Sequence, residues 1–211
     1  MTAGQPASLY GRAVRVASAG FAGYALGSVL ASGIVSKIAA RLSGVEVDLR
    51  TAGSGNPGAA NAIALLGKRW GIAILAGDMA KGAAAAQIGR ILAGDAGAYL
   101  AATTAVAGHC FPLWSRFRGG KGVATSAGTT LVCFPVYVPI DVGLVAVSWA
   151  ASRHAAVATI AASAAFVVAA WTWHRRGLGN AWGPKPTAGL PLYALATSSL
   201  LGYKFWAGRK R

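Results

Sequence analysis

The sequence predicts an all-α fold: a polytopic integral membrane helix bundle of about six or seven transmembrane or partly spanning helices. Three observations predict it. Apolar residues make up 55% of the 211-residue chain and charged residues only 12%, against about 25% charged in soluble domains. Five stretches of 18 to 21 residues carry no Asp, Glu, Lys or Arg, and a helix of about 20 apolar residues spans a bilayer core. The charge is lopsided, with 20 Lys and Arg against 5 Asp and Glu, and the basic residues stand between the apolar blocks. Basic loops of that kind face cytoplasm and anionic lipid, so the net charge of +15 is not read as a nucleic-acid surface.

The elements follow in order. Residues 1–13 read as a loose N-terminal arm, and residues 14–207 as one membrane domain. The run 16–36 is the first span; it is too long for a cleavable signal peptide. Residues 70–93 are mostly apolar but hold Asp78, Lys81 and Arg90. The runs 96–115 and 122–140 follow, then a short stretch, 142–152, that either joins the run 155–173 through Arg153 and His154 or forms a short tilted helix. A last run covers 186–203, and residues 208–211 form a basic tail. Small residues such as Gly20, Gly23 and Gly27 recur, and these let helix backbones approach closely in lipid. Mean hydropathy is +0.51, which excludes a disordered chain. Two cysteines, Cys110 and Cys133, exclude a disulfide scaffold and read as small buried hydrophobes.

Three polar loops interrupt the apolar pattern, at 41–69, 109–121 and 174–185. The first contains Gly53-Ser54-Gly55-Asn56-Pro57-Gly58-Ala59-Ala60-Asn61. Such a run forms either a plain surface turn or a nest of N–H donors for an anion; it lacks the spacing of a P-loop. The second contains Gly119-Gly120-Lys121-Gly122 after Arg116 and Arg118. It reads as positive-inside anchoring or as a phosphate loop, since Lys is a compact charge suited to phosphate and anchoring needs no glycines. Asp78 and Lys81 lie three apart, on one helix face; they form a working site or a structural pair stapling two helices. His174, followed by Arg175 and Arg176, reads as an interfacial residue or as part of an anion site. No His, Cys or carboxylate cluster has metal-ligand spacing, and no G-x-S-x-G elbow is present.

Several of these segments, in order, are similar to the PlsY family of bacterial integral-membrane acyltransferases. They are Tyr24-Ala25-Leu26-Gly27-Ser28; Gly53 to Gly58 with Asn61; Asp78-Met79-Ala80-Lys81-Gly82; and Gly108-His109-Cys110-Phe111-Pro112 through Phe117-Arg118-Gly119-Gly120-Lys121-Gly122-Val123-Ala124-Thr125. The resemblance covers roughly residues 20 to 130. It implies acyl transfer from acyl phosphate to glycerol 3-phosphate or a related phosphorylated polyol, giving lysophosphatidic acid for phospholipid biosynthesis. It implies a multi-pass protein of the bacterial inner membrane, with the three signature loops cytoplasmic and forming one pocket. It implies that Ser54, Asn56 and His174 act in catalysis by positioning substrate, not as covalent nucleophiles. Gly53, Gly55, Asn61, Gly119, Gly120, Lys121, Gly122 and Arg175 would then bind substrate phosphate. Asp78, Lys81 and His109 are a structural or site group, and neither metal nor cofactor is implied.

The chain also departs from the family pattern. Ala60 replaces a Thr, Ala64 an Arg, Ala156 a Ser, and Gly177 the Asn of the third signature, here His174-Arg175-Arg176-Gly177. An apolar run follows that signature where the family pattern has none. These departures keep a second reading open: a non-catalytic or repurposed protein on the same scaffold, such as a lipid-phosphate binder, a transporter-like protein or a partner subunit.

Overall fold

The computed structural model describes residues 9–44 and 46–208. Among the described residues every regular element is helical: α1 (Leu9–Ser28), α2 (Ala31–Ser43), α3 (Ala59–Leu66), α4 (Lys68–Cys110), α5 (Val123–Cys133), α6 (Val138–Ser152), α7 (Ala155–Arg176) and α8 (Gly189–Ala207), with 3-10 turns at Leu113–Ser115 and Pro135–Tyr137. The expected six or seven segments correspond to α1, two limbs of α4, α5, α6, α7 and α8. Among the described residues, three helical stretches are long and apolar enough to cross a membrane: Leu9–Ser43, Pro135–Ser152 and Ala155–Arg176.

Helix α4 is a hairpin. Ala93 and Gly94 leave helical angles, Gly94 at φ 64° and ψ −150°, a region open to glycine. The chain reverses there, and Gly89 and Gly97 meet with no room for a Cβ on either. The reversal brings His109 Nδ1 to 3.4 Å from Asp78 Oδ1; along a straight helix these residues would stand about 46 Å apart at 1.5 Å per residue.

The remaining helices take direction from this hairpin. Helix α1 runs parallel to its second limb, with Gly20 on Leu100, Gly27 on the Ala105 backbone, and Gly108 on Tyr24 and Ser28. Helix α5 starts where Gly122 touches Cys110 and ends where Cys133 Sγ reaches the Ala98 carbonyl at 3.7 Å. Helix α8 starts where Gly189 meets Tyr99 and ends where Lys204 donates to the Cys110 carbonyl at 2.9 Å. Helix α7 is antiparallel to α8: Ser198 bonds the Ser163 carbonyl at 3.4 Å, and Phe166 meets Tyr193 edge-on at 5.7 Å. The bundle therefore has a Lys121 end and a Gly94 end. Near the Gly94 end the core is aromatic, with Phe134, Tyr137, Phe166 and Tyr193 buried together and the Tyr193 hydroxyl bonded to Thr129 at 2.7 Å.

Several expectations need correction. The run 16–36 is broken after Ser28 and resumes as α2 at Ala31. The run 122–140 is not one span: α5 stops at Cys133 after 11 residues, because Pro135 cannot donate to a helical ladder. The stretch 142–152 belongs to α6, which Arg153 closes in a left-handed conformation, so it does not merge with α7. The N-terminal arm does not reach residue 13, because α1 begins at Leu9; residues 1–8 and the basic residues 209–211 lie outside the described residues.

Candidate functional site

The break between α1 and α2 is held by three polar side chains, buried Asp78 and His109 and half-buried Lys81. A helix end leaves N–H and C=O groups without intrahelical partners. Here the Val29 carbonyl accepts from Lys81 Nζ at 2.7 Å, and the Ala31 N–H donates to Asp78 Oδ1 at 3.4 Å. Lys81 pairs with Asp78 at 2.8 Å and lies 3.0 Å from His109 Nδ1. Of the two readings of Asp78 and Lys81, this is the staple: it ties both limbs of α4 to the helix break.

The first loop is built around Asn61. Its side-chain nitrogen donates to the Leu49 and Ala52 carbonyls, both at 3.0 Å, and its oxygen accepts from the Ser54 N–H at 2.9 Å. Asn61 is buried and braces the loop from beneath, so its amide is committed to backbone, away from any phosphate. Leu49 anchors the same loop on Ala31, Ala62 and Ile74. Ser54 is exposed, and its hydroxyl accepts from the Asn56 N–H at 3.4 Å. Asp48 accepts from the Arg50 N–H at 3.0 Å; that bond and the adjacent guanidinium hold its carboxyl below the usual carboxylate range.

The second loop folds back over the end of α4. The Gly120 N–H donates to the His109 carbonyl at 3.2 Å. A Cβ at Gly119 would strike that carbonyl and Pro112, and one at Gly120 would strike the His109 ring. Lys204 bonds the Cys110 and Gly119 carbonyls at 2.9 and 3.2 Å. Lys121 then lies with Nζ 4.3 Å from the Phe205 ring centroid, a cation–π contact. Partial burial lowers the pKa of its ammonium, and among the described residues no carboxylate pairs with it. Gly122, at φ 86°, opens α5, whose first-turn N–H groups have no intrahelical acceptors and favour an anion beside Lys121.

The two loops share one end of the bundle. A cavity of about 680 Å³ between them is bounded by Ser28 to Leu30, by Lys37 and Arg41 of α2, by Glu46 to Arg50, by Pro57, and by Trp114 and Ser115. The third loop is elsewhere. His174 Nδ1 is 2.9 Å from the Pro186 carbonyl. The Tyr99 hydroxyl donates to the Lys185 carbonyl at 2.9 Å, and Asn180 donates to the Cys133 carbonyl at 3.0 Å. Tyr99 and His109 are ten residues apart on one limb, about 15 Å. His174 and Arg175 are therefore at the Gly94 end, away from Lys121, and Ser54, Asn56 and Lys121 are not among the residues that line the cavity. The expectation of a single three-loop pocket fails because α5 to α8 add four passes, and the third loop falls between the last two.

Helix α8 supplies what the third loop was expected to give. Lys204 and Phe205, not His174, reach the Gly-Gly-Lys loop. Their signal in the sequence is Tyr203-Lys204-Phe205-Trp206, one cation among aromatics at the close of a run without charge. Of the departures, Ala64 lies exposed on α3, and Ala156 lies on the first turn of α7. Ala156 is seven residues before Ser163 as Phe205 is seven after Ser198, so the antiparallel pair places both at the Lys121 end. Gly177 closes α7 at φ 59°, a left-handed cap that Gly and Asn both accept.

Known proteins share this architecture. The family described as glycerol-3-phosphate acyltransferase matches residues 17–211. A glycerol-3-phosphate acyltransferase of Exiguobacterium sibiricum is 43% identical over 114 residues, which is 54% of this chain and 53% of that protein, so the match spans about half the length of that relative. One of Geobacillus kaustophilus is 37% identical over 145 residues, covering 69% of this chain and 71% of the relative. The crystal structure of PlsY (YgiH), an integral membrane glycerol 3-phosphate acyltransferase in its glycerol 3-phosphate form, superposes with a TM-score of 0.76 at 25% identity, covering 93% of this chain and 90% of that one. Fold, loop residues and a family match that takes in α8 lead to one conclusion: the chain belongs to the glycerol-3-phosphate acyltransferase family.

Proposed function

We propose that the protein acylates glycerol 3-phosphate from acyl phosphate at the Lys121 end of the bundle. The glycerol hydroxyl attacks the acyl carbonyl, the bond from acyl carbon to phosphate oxygen breaks, and the hydroxyl proton leaves with inorganic phosphate, giving lysophosphatidic acid. The observation that carries the reading is Lys121, without a carboxylate partner, beside the open N-terminus of α5, on a scaffold that matches PlsY over most of its length. A cation and preorganised N–H groups stabilise charge that develops on phosphate and carbonyl oxygens, and fixing two substrates together removes much of the entropic barrier. Ser54 and Asn56 stand on the neighbouring loop as further polar groups for the second phosphate. Purified protein given acyl phosphate and glycerol 3-phosphate is expected to release inorganic phosphate and form lysophosphatidic acid. Phosphate release without acylated product would remove the reading.

The departures set the level of that activity. Ala64 and Ala156 each lack a polar group at the Lys121 end, and hydrogen bonds contribute about 1 kcal/mol each. The parent is therefore expected to use glycerol 3-phosphate poorly beside an ordinary family member. Ala64→Arg with Ala156→Ser should raise its initial velocity roughly tenfold or more, by about 2 kcal/mol in sum. Gly177→Asn should change nothing, since it keeps the cap and stands at the other end. A fully active parent, or a gain from Gly177→Asn, would contradict this.

On this reading the Lys121 end faces the cytoplasm of a bacterial cell. It gathers Lys37, Arg41, Arg50, Lys68, Arg69, Arg116, Arg118 and Arg153 beside Glu46 and Asp48, whereas the Gly94 end carries fewer cations, Arg12, Arg15, Arg90, Arg175, Arg176 and Lys185, beside Asp95 and Asp141, and the end richer in Lys and Arg stays inside. In a background free of native cysteines, Thr51→Cys and Arg118→Cys should resist an impermeant thiol reagent in intact cells, while Leu178→Cys should react. Strong labelling of both the Thr51→Cys and the Arg118→Cys variants would invert the topology.

A further inference from the structure

We infer that His109 is a positioning residue, a strut that sets the Gly-Gly-Lys loop against the α1–α2 break; the inference rests on the proposed acyltransferase reading. The imidazole works at both of its faces. Nδ1 meets Asp78 at 3.4 Å and Lys81 at 3.0 Å, and those two side chains hold the Val29 carbonyl and the Ala31 N–H. The opposite edge of the ring, at Nε2, lies against Gly120, so closely that a Cβ there would collide. The His109 carbonyl takes the Gly120 N–H as well. His109 is 3% exposed, so it is enclosed by these partners and does not meet substrate.

The consequence is mechanical. Ala31 packs on Leu49 of the first loop, and its N–H is bonded to Asp78, which meets His109. His109 in turn bears on Gly120, the neighbour of Lys121. A continuous chain of contacts thus runs from the first loop to the second through two buried polar side chains, Asp78 and His109. Buried, mutually satisfied polar groups hold one arrangement more rigidly than apolar packing does. The spacing of the two loops is the spacing available to two phosphates, and a small misplacement of positioning groups costs far more than its size suggests.

Three variants separate a strut from a space filler. His109→Ala removes both contacts, His109→Asn keeps a polar group near the Nδ1 position without the ring, and His109→Phe keeps a ring against Gly120 without the link to Asp78. Each is purified in detergent and accepted only if it elutes as a single species. Displacing Lys121 weakens both its hold on substrate and its stabilisation of the charge that develops in the transition state, which lowers kcat/KM. All three variants are expected to lower kcat/KM for glycerol 3-phosphate at least tenfold. The second readout needs no substrate: spin labels at Thr51→Cys and Arg118→Cys, in the cysteine-free background, should show a broader inter-loop distance distribution in each variant. Parent-like kcat/KM in His109→Phe would reduce His109 to packing and overturn the inference. So would an unchanged distance distribution. A parent inactive with acyl phosphate would remove the acyltransferase reading alone, because the label distances would still report whether His109 sets the gap.

Discussion

Asp78→Asn is expected to lower the yield of folded protein more than any other single change considered for this chain. Asp78 is 2% exposed, and its carboxylate is the 2.8 Å partner of the Lys81 ammonium. Removing one member of a buried ion pair leaves the other charge uncompensated, at about 3–5 kcal/mol. Lys81 cannot escape to water cheaply, since its Nζ is also bound to the Val29 carbonyl at the helix break. Lys81→Met should be nearly as harmful, leaving the Asp78 carboxylate buried with only His109 and the Ala31 N–H. The double variant should lie between these and the parent. It loses both charges together, and the new amide oxygen can still accept the Ala31 N–H. The Val29 carbonyl is still left unpaired, at about 1–3 kcal/mol, so recovery is partial. Monodisperse yield and thermal unfolding midpoint of the four proteins test the order. Equal values for both single variants and the double would mean that the two groups are solvated and independent.

The same pair shows what could be read from sequence. Spacing alone puts Asp78 and Lys81 on one helix face, because a helix returns to the same side every three to four residues. It cannot show that the face is turned toward the broken end of α1, since that depends on a chain reversal at Gly94, inside a stretch of continuous helical pattern. The first and second loops are legible because their residues are unusual in a membrane segment, and the structure finds them side by side. The third loop is misplaced by sequence for a different reason. His174-Arg175-Arg176 has the right residue types, but local pattern does not count membrane crossings. One further pass carries α8 back to the Lys121 end, so a pair with no motif, Lys204 and Phe205, occupies the place expected for His174. The glycines read as a phosphate loop, and packing explains most of them: Gly119 and Gly120 are required by the backbone and ring of His109 whether or not a phosphate is bound.

Lys121→Ala is expected to cut glycerol 3-phosphate use by at least about tenfold while the protein still folds into the membrane. The magnitude follows from one lost charge-assisted hydrogen bond, worth about 1.5–3 kcal/mol, at about 1.4 kcal/mol per tenfold in rate. Folding should survive because Lys121 holds nothing else in place. The loop around it is fixed by Lys204 on the Cys110 and Gly119 carbonyls and by Gly120 on His109, and the Phe205 ring loses only a cation–π contact of about 0.5–1 kcal/mol. Lys121→Arg tests the reading more sharply. Arg keeps the charge and the ring contact, but its planar fork is longer and wider than a point ammonium. If the charge alone matters, by raising the local concentration of anionic substrate, Arg should restore most of the rate. If Nζ sits at a fixed place over a phosphate oxygen, beside the first-turn N–H groups of α5, Arg should restore KM only in part and leave kcat depressed. The second outcome is expected, because the Phe205 ring, the Gly122 turn and the start of α5 give the side chain little freedom. Steady-state kinetics of parent, Ala and Arg variants on glycerol 3-phosphate decide it. Unchanged kinetics in Lys121→Ala would remove Lys121 from the site, and with it the observation on which the acyltransferase reading stands.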